Sequence, residues 1–234
     1  MDASSSPHLI TPEVTPATDA ALVIEIWADL VCPWCYLAKR RIRGAIAAYE
    51  LPATIQLRHR AYELEPGMPP GRRVPVIDYL GAKYGGGRAG GEAMTARVAG
   101  LAAADGIELD FAAAVKCSTF DGHRLVLLAE AMGGWQLGQA MLERAYAAHF
   151  EQGLALDDHG VLVRIAAEAG LDERRVASVL AGDDYADRVR ADQRRARELG
   201  VTGVPFAVAG DRVSVSGAQS VEIYVELIRQ GSQR

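Results

Sequence analysis

Between Ala21 and Ala28 the chain reads Ala-Leu-Val-Ile-Glu-Ile-Trp-Ala, apolar on both alternating faces apart from Glu25. That pattern predicts a central strand covered on both sides. Asp29 to Val31 breaks the run, and from Pro33 the period changes. Trp34 to Ile42, with apolar residues continuing at Ile46 and Tyr49, forms an amphipathic helical pattern that Pro52 stops. Pro33 takes the first helical position, where a missing N–H costs nothing. Residues 54–62 then alternate apolar and polar over most of their length, the mark of a strand. Strand, helix and strand make one βαβ unit with Cys32 at its strand-to-helix turn.

Glu65 to Pro75 holds four prolines and two glycines and reads as a loop. From Val76 to Gly200 the pattern is helical throughout. Breaks fall near 85–91, 106–109, 133–134, 153–158, 170–172 and 182–184, several with a Gly stop followed by an Asp start. After Gly200 the strand character returns. Phe206 to Ala209, a Gly210-Asp211 turn and Arg212 to Ser216 predict a β-hairpin, and Val221 to Ile228 a closing amphipathic helix. The expected architecture is α/β: βαβ, a long all-helical insertion, then ββα, with one sheet built from the two chain ends. Its boundaries are a disordered leader at 1–20, a sheet domain at 21–65 and 201–234, and an inserted helical subdomain at 66–200.

Composition narrows the chemistry. The 234 residues are half hydrophobic, enough for a sizeable core, and the formal net charge of -5 argues against a nucleic-acid footprint. Residues 1–18 show no signal-peptide pattern, and the apolar run at 20–24 is too short to span a membrane, so a cytoplasmic protein is expected. There are three cysteines, Cys32, Cys35 and Cys117, too few for a disulfide-stapled scaffold. Two of them form Cys32-Pro33-Trp34-Cys35. In an intracellular chain that spacing points to redox or metal chemistry, and a zinc site lacks its second Cys-x-x-Cys or nearby His pair.

A thiol at the first turn of a helix faces free N–H groups and the positive end of the helix dipole. Both favour the reactive thiolate, with pKa values in such motifs falling to roughly 3.5–7.5. Cys32 holds that position and should lie near the surface. Cys35, one turn in, should be more buried and resolve the mixed disulfide. Far along the chain, Val204-Pro205-Phe206 places a proline at the first residue of a strand. A trans proline would merely start that strand. A cis one beside a dithiol would leave the Val204 backbone free to pair with an extended substrate. The local sequence leaves both readings open.

Four runs in order, Trp27-Ala-Asp-Leu-Val-Cys-Pro-Trp-Cys-Tyr36, Phe120-Asp-Gly-His-Arg-Leu125, Gly203-Val-Pro-Phe206 and Val215-Ser-Gly-Ala-Gln219, resemble the DsbA-like thioredoxin-fold oxidoreductases, most closely the FrnE-like branch. The likeness runs from about Leu22 to Ile228. It implies a thioredoxin fold interrupted by a helical domain, with Pro205 cis and facing Cys32. Related glutathione transferases of the kappa class and hydroxychromene carboxylate isomerases usually carry Ser where this chain has Cys32, so both cysteines favour the redox branch. The resemblance also nominates Glu25 as a proton relay to Cys35, which would require a pKa raised by burial. Asp29 is expected to form the turn or cap the helix. His123 and Arg124 are candidates to border the substrate cleft, a helix N-terminus being the plainer explanation of His123. Cys117 reads as a packed small residue, and Lys39-Arg40-Arg41 as a solvated helix face.

The leading expectation is a thiol–disulfide oxidoreductase. Cys32, Cys35 and Pro205 form its catalytic set, Pro33, Trp34, Val204 and His123 contact substrate, and no metal or bound cofactor is required. Its partners would be protein or small-molecule thiols and disulfides, with oligomeric state open, a homodimer included. A glutathione-dependent transferase or isomerase, with glutathione as co-substrate, and a chaperone-like binding protein are the alternatives.

Overall fold

The computed structural model describes residues 22–49 and 55–233; the expected leader and the stop at Pro52 lie outside the described residues. Strand β1 (Leu22–Ala28) pairs parallel with β2 (Ile55–Ala61), and helix α1 (Pro33–Ala47) crosses between them. Two short elements follow the proline-rich loop: β3 (Val74–Pro75) and α2 (Val76–Tyr84). Next come α3 (Gly87–Ala104), β4 (Val115–Lys116), α4 (Phe120–Phe150), α5 (His159–Ala169), α6 (Glu173–Ala181) and α7 (Ala186–Glu198). The chain ends in β5 (Phe206–Ala209), β6 (Val213–Ser216) and α8 (Val221–Gly231).

The main sheet has the order β2-β1-β5-β6, with β1 antiparallel to β5 and β5 antiparallel to β6. This is the thioredoxin arrangement with its two halves drawn from the two ends of the chain. The turn joining β5 to β6 has positive φ at both Gly210 (59°) and Asp211 (56°) and is closed by Arg212 N–H donating to Ala209 O at 3.2 Å. That primed geometry matches the right-handed twist of the strands.

Alternation along β1 explains how the sheet is covered. Ile24, Ile26 and Ala28 join the main core with Leu37 and Ile42 of α1 and Tyr224, Leu227 and Ile228 of α8. On the opposite face Trp27 packs with Ala196 of α7 and Val201, and its indole N–H donates to Asp192 O at 3.0 Å.

The insertion is not wholly helical: β3 and β4 form a two-residue antiparallel ribbon, Val74 opposite Lys116 and Pro75 opposite Val115. So short a pairing leaves no period for a sequence pattern to reveal. The Gly133-Gly134 break is a kink inside α4, with Gly134 at φ 72°. Helix starts at Asp158 and Asp172 are capped as the sequence predicts, Asp158 accepting from Gly160 and Val161 N–H and Asp172 from Arg175 N–H. Gly91 lets α3 lie against α2, since a Cβ there would meet Ile77 O at 2.0 Å.

Strand β2 sits at the sheet edge, yet its backbone is not left open. Gln139 Nε2 donates to Leu57 O (3.2 Å), His59 N–H donates to Glu130 Oε1 (3.1 Å) and Ala61 N–H donates to Asp192 Oδ2 (3.1 Å). Side chains of α4 and α7 thus stand in for a missing strand. The Ala61 bond is buried, so removing its acceptor strands a backbone donor. Asp192→Ala is expected to lower unfolding free energy by about 1–3 kcal/mol in chemical denaturation; an unchanged midpoint and slope would show that this edge bond contributes nothing.

Candidate functional site

The dithiol lies where β1 hands over to α1. Cys32 is the N-cap residue with extended φ/ψ (-100°, 111°), and Pro33 opens the helix. Cys32 N–H donates to Asp29 O (3.2 Å), while Cys35 and Tyr36 N–H donate to Cys32 O (3.0 and 3.3 Å), which closes the turn. Both cysteines are free thiols. Trp34 projects outward at 37 % exposure, and Pro33 is half-buried.

Cys32 is more enclosed than its sequence position suggests, at 4 % exposure against 0 % for Cys35. The reason is the loop before β5. Val204-Pro205 is cis, and the Cys32 thiol donates to Val204 O at 3.8 Å. The loop is held in turn by Gly217 N–H donating to Pro205 O at 2.8 Å. Arg41 of α1 donates to the carbonyls of Ala218 and Gln219 (3.3 and 3.2 Å). Three of the four sequence runs therefore meet at one point.

The fourth run contributes from beneath. Gly122 in the first turn of α4 lies against the active-site turn so closely that a Cβ would sit 2.6 Å from Leu30 Cδ1. His123 does not border a cleft: it is fully buried, stacked on His59 with ring centroids 5.2 Å apart and Nδ1 3.0 Å from His59 Nε2. Arg124 donates to Asp184 O (2.8 Å) and to the carbonyls of Val179 and Gly182, tying down the end of α6.

Of the two carboxylates, Glu25 departs from its expected role, while Asp29 forms the turn through its carbonyl but does not cap the helix. Glu25 accepts from Arg60 Nε at 2.7 Å, a diagonal pair across β1 and β2 on the face away from α1, so it does not face Cys35. Asp29 neither caps the helix nor reaches solvent. It is 1 % exposed, with Oδ2 accepting from Leu64 N–H at 2.7 Å and Oδ1 3.6 Å from His123 Nε2. Burial opposes its charge, but the nearby His123 ring and Lys116 ammonium together with Leu64 N–H outweigh that and hold its carboxyl below the usual value. Burial, the adjacent Cys32 sulfur and the Asp29 charge push the Cys35 thiol well above its ordinary pKa. Burial likewise keeps His59 neutral.

Lys39 also departs from expectation. It is buried and pairs with Glu143, which additionally accepts from Tyr36 hydroxyl (3.2 Å) and Arg40 (2.9 Å). Cys117 is a packed residue: it is 2 % exposed, its sulfur accepts from Leu156 N–H at 3.3 Å, and burial pushes its thiol up to about 12. Among the described residues no group of three or more His, Cys, Asp or Glu side chains is placed to hold a metal ion, and no helix is long and apolar enough to cross a membrane. His59 escaped the sequence reading, although it occupies an inward position of β2 beside Ile55, Leu57 and Ala61, where a polar residue is a signal.

The family model described as a DSBA-like thioredoxin domain matches residues 23–229. The chain belongs to that family. Among solved structures this DsbA-like chain is similar to a probable DsbA oxidoreductase of Streptomyces coelicolor, at 39 % identity, TM-score 0.85, and coverage of 90 % of this chain and 89 % of that one. The cytosolic disulfide reductase DsbM of Pseudomonas aeruginosa shares the fold at 22 % identity and TM-score 0.58, over 90 % of this chain and 95 % of its own. A curated relative, the uncharacterized protein YwbO of Bacillus subtilis, is 22 % identical over 210 residues, 88 % of this chain and 94 % of its own. At the level of the family, these comparisons place the chain among DsbA-like oxidoreductases.

The geometry predicts how its thiols differ in reactivity. Brief alkylation of the reduced protein near neutral pH should label Cys32 first, with Cys35 and Cys117 labelled after unfolding. Mass mapping that found Cys117 modified at the rate of Cys32 in the folded protein would contradict its packing.

Proposed function

We propose that the chain exchanges its dithiol with the disulfide of an extended substrate through a mixed disulfide on Cys32. The observation that carries this is the 3.8 Å contact between Sγ of Cys32, the N-cap residue of α1, and Val204 O in the loop before β5. In the reducing direction the Cys32 thiolate attacks one substrate sulfur, forming a Cys32–substrate bond and releasing the first substrate thiolate. Cys35 then loses its proton and attacks Cys32 Sγ, expelling the second thiolate and leaving a Cys32–Cys35 disulfide. Two electrons pass from the dithiol to the substrate, and the oxidising direction is the reverse.

Each neighbour has a part in this scheme. Val204 offers backbone to an extended partner in the manner of an added strand, Pro205 holds the loop against Cys32, and Pro33 with the exposed Trp34 borders the approach. The enclosure of Cys32 favours a slender substrate over a bulky one. Glutathione fits that description and is the proposed small thiol partner; the Pseudomonas aeruginosa DsbM has been solved with it.

Two variants and a pH series test the scheme. Cys32→Ser should abolish reduction of a disulfide test protein, whereas Cys35→Ala should accumulate the mixed disulfide on Cys32, seen as a mass adduct that a reductant releases. In the unmodified protein, the resolving step should speed up about tenfold per pH unit through the neutral range, because Cys35 must ionise from a raised pKa. A full rate in Cys32→Ser, or a resolving step flat between pH 6 and 8 (roughly the neutral range), would remove this mechanism.

A further inference from the structure

On the dithiol side of the sheet lies a cavity that the exchange mechanism does not use. It has a volume of about 200 Å³ and is walled by the 65–72 loop, Tyr79 and Lys116. Its position follows from the backbone. Leu64 N–H is bonded to Asp29, whose carbonyl accepts from Cys32 N–H, and Glu65, the first wall residue, comes directly after Leu64. The parallel strands β1 and β2 end on this same side of the sheet.

Lys116 is the unusual member. It is only 6 % exposed, its ammonium stands 5.4 Å from the centroid of the Tyr79 ring, and among the described residues it has no carboxylate within ion-pair distance. The side chain is enclosed by the fold and lines the cavity, so a ligand there meets a positive charge with no ion-pair partner among the described residues. The carboxylate in the wall, Glu65, is already engaged by Tyr79 hydroxyl and by Lys83 at 3.0 Å. Asp29 lies near enough to feel the Lys116 charge, but its oxygens are turned to Leu64 N–H and the His123 ring. On the rim, Arg72 also lacks a carboxylate partner among the described residues, whereas the next residue, Arg73, pairs with Asp157 at 3.2 Å and Asp158 at 3.6 Å. Pro66, Met68 and Pro69 supply an apolar wall. Two positive charges without ion-pair partners among the described residues, at a cavity of mixed polar and apolar walls backed by Tyr79, suit one carboxylate on a short aliphatic stem.

We propose that this cavity is a carboxylate-binding subsite through which Lys116 and Arg72 select acidic peptide disulfides for the neighbouring dithiol. The proposal rests on the exchange reading above. In a chain of net charge -5, a local positive pocket gives acidic substrates a landing point that the overall charge does not.

The test uses homodimeric disulfides of short capped peptides, with a cysteine separated from a glutamate by a glycine spacer of varied length, and matched peptides with glutamine instead. Pre-reduced protein is mixed with each in a single turnover: one peptide disulfide is consumed, two peptide thiols are released and one Cys32–Cys35 disulfide forms. At the spacer that matches the reach, the glutamate peptide should react about tenfold faster than its glutamine twin at low salt, with the gap shrinking as salt is raised. Lys116→Met should erase the preference, read as the ratio of the two peptides' rates within that variant, Lys116→Arg should retain it, and Arg72→Gln should reduce it by about half on a logarithmic scale while leaving the glutamine peptide's rate intact. If Lys116→Met fails to fold, the exposed Arg72 decides the matter. Equal rates for both peptides at every spacer, or an equal slowing of both by Lys116→Met, would overturn the subsite while leaving dithiol exchange standing. No reaction with either peptide in the unmodified protein would overturn the exchange reading and the subsite with it.

Discussion

The antiparallel pairing of β1 with β5, from Ile24 opposite Ala209 to Trp27 opposite Phe206, is the constraint on which the site depends. It joins the two ends of a chain interrupted by a long helical insertion, and its register sets what lies beyond the strand ends. Just past Ala28 the chain turns into the dithiol, and just before Phe206 it carries Val204-Pro205. A slip of one residue would turn every inward side chain of β5 outward. It would also shift Val204 along the strand by roughly 3.3 Å, enough to carry its carbonyl away from Cys32. The reactive pair is thus local, but its environment is a product of long-range pairing.

The framework of this pairing was legible in the sequence. The apolar run at Leu22–Ala28, the alternation over Ile55–Ala61 and the Gly210-Asp211 turn each carry a period or a turn chemistry that few other structures satisfy. The β3–β4 ribbon was not legible, because two residues have no period. Buried polar side chains were the second blind spot. Lys39 and His59 sit at inward positions that a periodic reading fills with apolar residues, and only the partners, Glu143 and His123, explain why they are tolerated. Glu25 shows the converse: a lone charge in an apolar strand invites a functional role, yet Arg60, two positions along the register on β2, accounts for it.

The interior beneath the dithiol is unusually polar. Asp29 Oδ1, His123 Nε2 and His59 Nδ1 have no hydrogen-bond partner in the protein, three of the five such buried side-chain atoms among the described residues. Each such group costs free energy, a load that the 3.6 Å approach of Asp29 to His123 offsets in part. It falls directly under the turn that holds Cys32, where Gly122 brings α4 against Leu30 and Tyr146 hydroxyl donates to Asp29 O at 3.4 Å. When Cys35 ionises, the new negative charge must form next to Asp29. Neutral His59 and the ring of His123 are the polarisable groups available behind it.

The treatment of the sheet edges bears on association. Gln139, Glu130 and Asp192 occupy the hydrogen-bonding groups of β2, so no further strand can add there without displacing them. Strand β6, by contrast, has no strand beyond it among the described residues. A sheet with one open side can recruit a partner only once, and when two copies meet through that side the pairing is complete. The main sheet therefore permits a closed pair through β6 but, with β2 occupied, does not extend copies into an unlimited ribbon.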